Sequence, residues 1–248
     1  MRDTRADEAY FSGVLEVLQR HNERHDQRLD DPSAVWRKPS YRGAAAGDAM
    51  KQRWARFSAL YSSGAGIDEL RAEFDGVLVA AERALRLEKE TMPEETLAQR
   101  FAFGANRDFY LQRLWLVSLA IAFDVDEQTF DRVVTAVEFG WGDRLLDRLI
   151  ATRRADHPVG PQLAFPAACT ALERTFDSKD PADAATYLGG WYAAWKGVFG
   201  WGGHEFLAKS QYWGYWAFEV VGVVTALGID DAQLRSNEYY PGDLSLKE

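Results

Sequence analysis

The chain has 248 residues, of which 47% are hydrophobic and 27% are charged, a composition that is typical of a globular protein and excludes a disordered one. The formal net charge is −9, and residues 1–124 carry 18 basic and 20 acidic side chains, whereas residues 125–248 carry 11 and 18. This acidic second half disfavours nucleic acid as a direct ligand and is compatible with a basic protein partner, although acidity also serves solubility alone.

Two features of the whole chain bear on its compartment and its redox chemistry. The N-terminus, MRDTRADEAYF, has no apolar segment of the kind found in secretory signals, so we expect a cytoplasmic protein. Cys169 is the single cysteine, which excludes an internal disulfide and a cysteine metal cluster. Its apolar neighbours predict an inert thiol in the core.

The first half of the chain shows apolar residues at helical spacing. An amphipathic helix is predicted for residues 7–30. Residues 31–47, rich in Pro, Gly and Ala, are predicted to form a loop held in place by Trp36 and Tyr41. Further helices are predicted for residues 50–61, 67–91, 94–103 and 106–123.

The second half continues this pattern, and three helix starts are marked by aspartate. Asp126 and Asp230 each follow an apolar segment at a point where the next helix would begin. Asp180 precedes Pro181, which suits the first position of a helix. No segment shows the sustained alternation that is typical of a strand.

We therefore predict an all-α fold of stacked helical hairpins around a buried C-terminal helix. The remaining helices of the second half are predicted for residues 143–153, 162–176, 180–199 and a segment that begins near residue 204. The chain divides into an N-terminal helical region, residues 1–109, and a C-terminal helical region, residues 110–248, and the two are expected to form one compact unit.

The segment from Ser210 to Asp231 is predicted to be the buried helix, since aromatic and aliphatic residues lie on every side of its helical wheel. Glu219 is the only charge between Lys209 and Asp230, and its central position disfavours a membrane span. A buried carboxylate needs partners, so Glu219 is predicted to accept hydrogen bonds from Tyr or Trp, or to pair with an Arg. A role as general acid or ligand anchor in a carboxylate groove stays open.

The candidate catalytic and metal-binding motifs fail on spacing. His21 and His25 are four residues apart but lack a third ligand, and a solvated helix face explains them. The pair His204-Glu205 is followed by Ala208 where a zinc protease motif requires histidine. Neither a nucleophile elbow nor a phosphate loop occurs. We expect no catalytic residue, no metal and no cofactor, with a helical enzyme of unknown reaction as the alternative.

Three strings near the C-terminus carry a resemblance to a known family. They are Tyr212-x-Gly214-Tyr215-Trp216-x-x-Glu219, Leu227-Gly228-Ile229-Asp230-Asp231-x-x-Leu234 and Tyr239-Tyr240-Pro241-x-Asp243-Leu244. This pattern resembles the C-terminal signature of the PoNi proteins, immunity proteins for PoNe-type polymorphic DNase toxins. The resemblance covers residues 110–244 well and residues 1–109 by arrangement alone. A structural role is predicted for the signature residues Tyr212, Gly214, Tyr215, Trp216, Glu219, Asp230, Tyr240, Pro241 and Asp243.

The resemblance implies an all-helical protein without catalytic activity that binds and inhibits a cognate DNase toxin of a type VI or related interbacterial secretion system. We also expect no direct nucleic acid ligand, because the second half of the chain is acidic, and no membrane association, because Glu219 lies within the long apolar segment. Because a DNase must present a basic surface to hold phosphates, we predict that exposed acids of the second half contact the toxin. These residues are Asp126, Glu127, Asp131, Glu138, Asp177, Asp180, Asp183, Asp230 and Asp231. An adaptor or chaperone that loads the effector is the remaining alternative.

Overall fold

The computed structural model describes residues 1–137, 142–198, 202–209 and 211–245. The regular structure within these ranges is helical and contains no strand, which confirms the predicted all-α class. The chain divides into two compact units. The first consists of Met1–Phe101 and Phe199–Gly214, and the second of Ala102–Val198 and Tyr215–Glu248. The division therefore falls eight residues before the predicted boundary at residue 109, and a later segment returns to the first unit.

The first unit is built on long helices that pack side by side. Its helices are α1 (Glu8–Asp30), α2 (Ser40–Ser63), α3 (Ile67–Thr91) and α4 (Glu94–Arg100), and a 3-10 segment covers Gly203–Lys209. Within this unit α2 packs against both α1 and α3. Asp7 caps α1 by accepting a hydrogen bond from the Tyr10 amide at 2.8 Å.

The predicted loop of residues 31–47 is shorter in the structure, because α2 begins at Ser40. The small residues that suggested a loop allow close helix packing instead. A Cβ atom on Gly43 would lie 2.7 Å from the Thr91 hydroxyl, and one on Gly47 would lie 2.8 Å from the Glu88 carboxylate. The Gly and Ala residues at the start of α2 therefore let this helix approach α3.

The second unit surrounds α5 with shorter helices. Its helices are α5 (Arg107–Ala122), α6 (Glu127–Val137), α7 (Arg144–Ala151), α8 (Pro166–Ser178), α9 (Pro181–Trp195) and α10 (Phe218–Leu227), followed by a 3-10 turn at Gly242–Leu244. The central helix α5 packs against α6, α7 and α10, and α8 forms a hairpin with α9. Cys169 is buried in this unit, and burial raises the pKa of its thiol, which disfavours the reactive thiolate.

Two of the three predicted aspartate caps are confirmed. Asp126 accepts a hydrogen bond from the Thr129 amide at 2.8 Å at the start of α6. Asp180 accepts one from the Ala182 amide at 2.8 Å, with proline at the first turn of α9. The third prediction is wrong, because the residues that directly follow Asp230 form a series of turns, and the next helical segment is the 3-10 turn at Gly242–Leu244.

The predicted helix from Ser210 to Asp231 is also shorter than expected. Residues 211–217 are not helical, and α10 begins only at Phe218. The left-handed backbone of Gly214, with φ at 106°, interrupts the helical path, and the Ala217 amide donates to the Tyr239 carbonyl at 2.8 Å. Within the described ranges, no helix combines the length and the apolar character that crossing a membrane would require.

Candidate functional site

Glu219 lies fully buried in the first turn of α10, where uncharged side chains surround its carboxylate. Trp115 Nε1 donates a hydrogen bond to it at 2.7 Å. The Tyr187 hydroxyl and Trp191 Nε1 each donate at 2.5 Å. These contacts confirm the predicted Tyr and Trp donors. We call Glu219, Trp115, Tyr187 and Trp191 the Glu219 cluster; it joins α5, α9 and α10.

The geometry of the Glu219 cluster suits a structural carboxylate. Burial raises the pKa of Glu219, and the three donors oppose that shift in part. Trp195 Nε1 donates to the Tyr187 hydroxyl at 3.0 Å, so this hydroxyl both donates to Glu219 and accepts a hydrogen bond from Trp195. The carboxylate has no exposed surface, and both of its oxygens accept hydrogen bonds. Because the carboxylate is fully enclosed, a substrate cannot reach it in this structure, which argues against the carboxylate groove of the enzyme alternative.

The first part of the family-like signature is also internal. The Tyr212 hydroxyl donates to the buried carboxylate of Asp3 in the first unit. The Tyr10 hydroxyl accepts from the Tyr212 amide at 3.0 Å and donates to the Tyr212 carbonyl at 3.1 Å. Tyr215 and Trp216 are buried in the second unit. These positions support folding contacts and present little surface to a partner.

Asp231 needs a correction, because the structure places it inside the tail and not on an exposed face. It is 8% exposed, and its carboxylate accepts from the Tyr240 hydroxyl at 2.8 Å, from Arg235 Nε at 2.9 Å and from the Ser245 hydroxyl. Burial alone would raise the pKa of Asp231, but the bonds from these three residues together lower it. We therefore remove Asp231 from the predicted contact residues.

The other signature residues of the tail divide between interior and surface. Pro241 is buried, and Asp243 is exposed. Asp230, which was assigned to both the signature and the contact set, is exposed and accepts a hydrogen bond from the Ala232 amide at 3.0 Å. Its carboxylate keeps surface that a partner can reach.

The predicted acids of α6 are held by two arginines that follow α7. Arg153 donates to Glu127 at 2.5 Å, and Arg154 donates to the same carboxylate. Arg154 also donates to Asp131 through Nε at 3.0 Å. The side chains of Glu127 and Asp131 nevertheless remain 67% and 68% exposed. The two arginine bonds lower the pKa of Glu127, so this residue is a carboxylate at neutral pH.

A second set of ion pairs joins α7 to α8. Arg148 bridges Glu173 at 2.8 Å and Asp177 at 2.6 Å on α8. Arg144 Nε lies 2.9 Å from the buried Glu173. Asp177 stays 68% exposed, and its bond with Arg148 lowers its pKa. The structure thus pairs two predicted acids of α6 with arginines that follow α7, and one predicted acid of α8 with an arginine of α7 itself.

The remaining predicted acids are spread over other positions. Asp126 and Asp180 are exposed helix caps, as described above. Asp183 is mostly covered and accepts from the Ser178 hydroxyl at 2.8 Å and from Arg174 at 2.6 Å. Glu138 lies outside the described residues.

We call the residues around α7 the α7 charged surface. They are Glu127, Asp131, Arg144, Arg148, Arg153, Arg154, Glu173 and Asp177. Sequence reasoning identified three of its acids but missed the four arginines. Arg144 and Arg148 are four residues apart in GDRLLDRLIATRR, which places them on one helix face, whereas Arg153 and Arg154 follow the end of α7 and carry no such signal. Their acidic partners lie on other helices, and that pairing is not visible in sequence.

The described residues also bear on metal binding. No group of three or more His, Cys, Asp or Glu side chains in the part of the chain that the structure describes is arranged to hold a metal ion. The exposed acids of the α7 charged surface are instead paired with arginines. The exposed carboxylates of this surface can bind cationic groups of a partner.

Comparison with solved structures gives a protein of similar fold. The crystal structure of protein PA2201 from Pseudomonas aeruginosa aligns with a TM-score of 0.73, over 98% of this chain and 90% of that chain, at 21% sequence identity. At this identity the likeness concerns the fold alone. No curated protein matches the chain.

Comparison with protein families identifies both halves of the sequence. The family described as the N-terminal part of PoNe immunity protein (PoNi) matches residues 2–135. The family described as the C-terminal part of PoNe immunity proteins matches residues 141–244. The N-terminal match extends the resemblance to the region where it rested on helix arrangement alone. The chain therefore belongs to the family of PoNe immunity proteins (PoNi).

Proposed function

We propose that this protein binds a cognate DNase toxin in the cytoplasm of the producing cell and blocks its access to DNA. The toxin belongs to an interbacterial secretion system, of type VI or a related kind. The observation that carries the proposal is the α7 charged surface, on which Glu127, Asp131 and Asp177 keep about two thirds of their side-chain surface in a chain of the PoNi family. The α7 charged surface itself has four acidic and four basic side chains and no net charge, so attraction to a basic DNA-binding surface depends on these exposed carboxylates and on the excess of acids in residues 125–248.

The ion pairs of the α7 charged surface are compatible with binding. Each carboxylate has about four acceptor positions, so Glu127 can keep its arginine bonds and accept further donors from a partner. Exposed ion pairs stabilise a fold only weakly, which makes their rearrangement at an interface inexpensive. The internal arginines also hold the acids in fixed positions, which lowers the entropy lost on binding.

Fixed acids of this kind increase the rate at which a basic partner associates and the selectivity for such a partner. Complementary charge increases the rate of encounter, and the rate falls as salt screens the charges. The acids Asp126, Asp180 and Asp230 extend the negative surface of the second unit, and we include them in the proposed contact set. Asp183 contributes less because neighbouring groups cover most of its side chain.

The test uses the purified protein and the nuclease that we expect to be encoded beside its gene. Mixing the two at increasing ratios should abolish cleavage of duplex DNA at one protein per nuclease, and the complex should elute as a single species. Complex formation without loss of cleavage would favour the adaptor or chaperone. Full cleavage at a large excess of this protein, with no complex, would refute the proposal.

A further inference from the structure

The loop between α1 and α2, residues 31–39, is a preformed element of the first unit. At its start, Asp31 accepts hydrogen bonds from the Ser33 amide at 2.8 Å and from the Ser33 hydroxyl at 2.6 Å. At its end, Arg42 donates to the Leu29 carbonyl at 3.0 Å, which ties α2 back to α1. The two ends of this α1–α2 loop are therefore fixed by contacts within the unit.

The middle of the α1–α2 loop is supported from one side. The guanidinium of Arg28 lies 4.4 Å from the centre of the Trp36 ring, so this half-buried indole is held against α1. Pro32 and Pro39 restrict the backbone near both ends. A loop that is restricted before binding loses less entropy when it binds.

Three side chains of the α1–α2 loop project without a role in the fold. Val35 is 87% exposed, the largest fraction among the exposed large hydrophobic residues of the described ranges. The side chains of Arg37 and Lys38 are exposed, and neither makes a hydrogen bond, an ion pair or a ring contact within the part of the chain that is described, although the Lys38 carbonyl accepts from the Tyr41 amide at 3.0 Å. Most arginines of this protein are paired, as those around α7 illustrate. Arg37 and Lys38 are thus two adjacent cations whose charges are not paired within the described part of the chain.

The charge of the α1–α2 loop indicates the chemistry of what it contacts. Two cations beside an exposed valine suit a concave, anionic protein surface with some apolar contact, and arginine is enriched among the residues that dominate interfaces. DNA is a poor candidate, since the whole chain carries a net charge of −9 and phosphate binding requires several cations. A nuclease offers one anionic concave feature, the carboxylates that bind its catalytic metal ions.

We propose that the α1–α2 loop inserts Arg37 and Lys38 into the metal-binding cleft of the nuclease, where the two cations face the carboxylates that otherwise hold the metal. This inference rests on the proposed function, because it names a second contact with the same toxin. The acids of the second unit contact the basic DNA-binding surface of the nuclease, whereas this loop contacts the acidic catalytic centre of the nuclease. Inhibition then includes competition with the metal ion as well as with DNA.

The experiment compares two double variants of the full-length protein. The loop variant is Arg37→Glu with Lys38→Glu. The control is Arg24→Glu with Lys89→Glu, which changes the net charge equally at two exposed cations of the first unit whose side chains likewise have no partner among the described residues. Affinity for the nuclease is measured by calorimetry in metal-free buffer and again in saturating Mg²⁺, after circular dichroism has shown that both variants are folded.

The loop variant should bind the nuclease at least about tenfold more weakly than the unchanged protein, as the loss of close interfacial charge pairs predicts. The control should bind as tightly or more tightly, because added negative charge favours a basic partner. Mg²⁺ should weaken binding of the unchanged protein and leave the loop variant unaffected.

Equal affinities for the loop variant and the unchanged protein would overturn the inference and leave the proposed function standing. Failure of the unchanged protein to bind the nuclease would instead refute the proposed function itself. The last measurement tests whether the protein binds a fluorescent DNA duplex. Binding of the duplex by the unchanged protein, lost in the loop variant, would show that the loop contacts nucleic acid and would also overturn the inference.

Discussion

The second unit holds its carboxylates in two opposite ways. Glu219 is fully buried and bound by three uncharged donors, whereas Glu127 and Asp131 are about two thirds exposed and bound by arginines. Burial raises the pKa of Glu219, and arginine contacts lower the pKa of Glu127. A buried carboxylate is costly to leave without donors, while an exposed pair adds little to stability.

This contrast separates the residues that identify the family from those proposed to recognise the toxin. The Glu219 cluster links three helices and is buried, so substitutions there should reduce the stability of the fold before they affect binding. The acids of the α7 charged surface are exposed and contribute little to stability, so substitutions there should weaken binding before they affect folding. The predictions below test whether the two groups can be separated in this way.

Glu219→Ala should have the largest effect on stability. The substitution leaves two indole N–H groups and the Tyr187 hydroxyl without an acceptor in the core, and we expect a loss of about 3–5 kcal/mol in the free energy of unfolding. Chemical denaturation followed by tryptophan fluorescence measures this directly, because Trp115 and Trp191 lie in the cluster. Glu219→Gln, which keeps one acceptor oxygen, should lose less. A loss below about 1 kcal/mol for the alanine variant would contradict the structural role.

The pH dependence of unfolding should carry the signature of Glu219. Its folded pKa lies above the ordinary value of 4.5, so the folded state binds more protons than the unfolded state in the window between the two values. The stabilising contribution is complete below that window and declines as the pH rises through it. The free energy of unfolding should therefore fall more steeply above pH 4.5 for the unchanged protein than for Glu219→Gln. Identical slopes would show that the carboxyl does not titrate in this way.

Asp231→Ala should have a smaller effect, about 1–3 kcal/mol, because it deprives the buried Tyr240 hydroxyl of its acceptor. Asp230→Ala is the matched control, since this neighbour is exposed and its carboxylate accepts a hydrogen bond from the Ala232 amide. Thermal unfolding of both variants distinguishes the two positions. Equal melting temperatures for the two would indicate that the buried tail contacts of Asp231 are weak.

Glu127→Gln combined with Asp131→Asn should have the smallest effect on stability and a measurable one on binding. The melting temperature should stay unchanged, whereas the rate of association with the nuclease should fall and should depend less on salt. Stopped-flow measurements at several ionic strengths test this. A variant that associates at the unchanged rate, with the same salt dependence, would remove these two acids from the contact set.

Local sequence signals predicted a large part of the fold. The caps at Asp126 and Asp180 follow from residue type and position, and the donors of Glu219 follow from the high cost of a bare buried carboxylate. The helix from residue 40 to 47 was missed because Gly and Ala are ambiguous locally. Only contact with α3 explains why they are helical here.

The candidate site was less accessible to prediction from sequence. Asp231 was predicted to be an exposed contact residue, and its burial depends on Tyr240 and Ser245, which a turn of the tail brings close. The arginines that pair with Glu127 and Asp177 lie more than 20 residues away along the chain. Which arginine pairs with which acid depends on how the helices pack against each other. Local periodicity in the sequence does not predict that packing.

The most direct test of the central claim is a titration of nuclease activity. A fixed amount of the neighbouring nuclease is mixed with increasing amounts of this protein, and the initial rate of duplex cleavage is measured at each ratio. The account predicts a linear fall to zero at one molecule of this protein per nuclease, with Glu127→Gln/Asp131→Asn requiring an excess. Cleavage that continues undiminished beyond that ratio would contradict it.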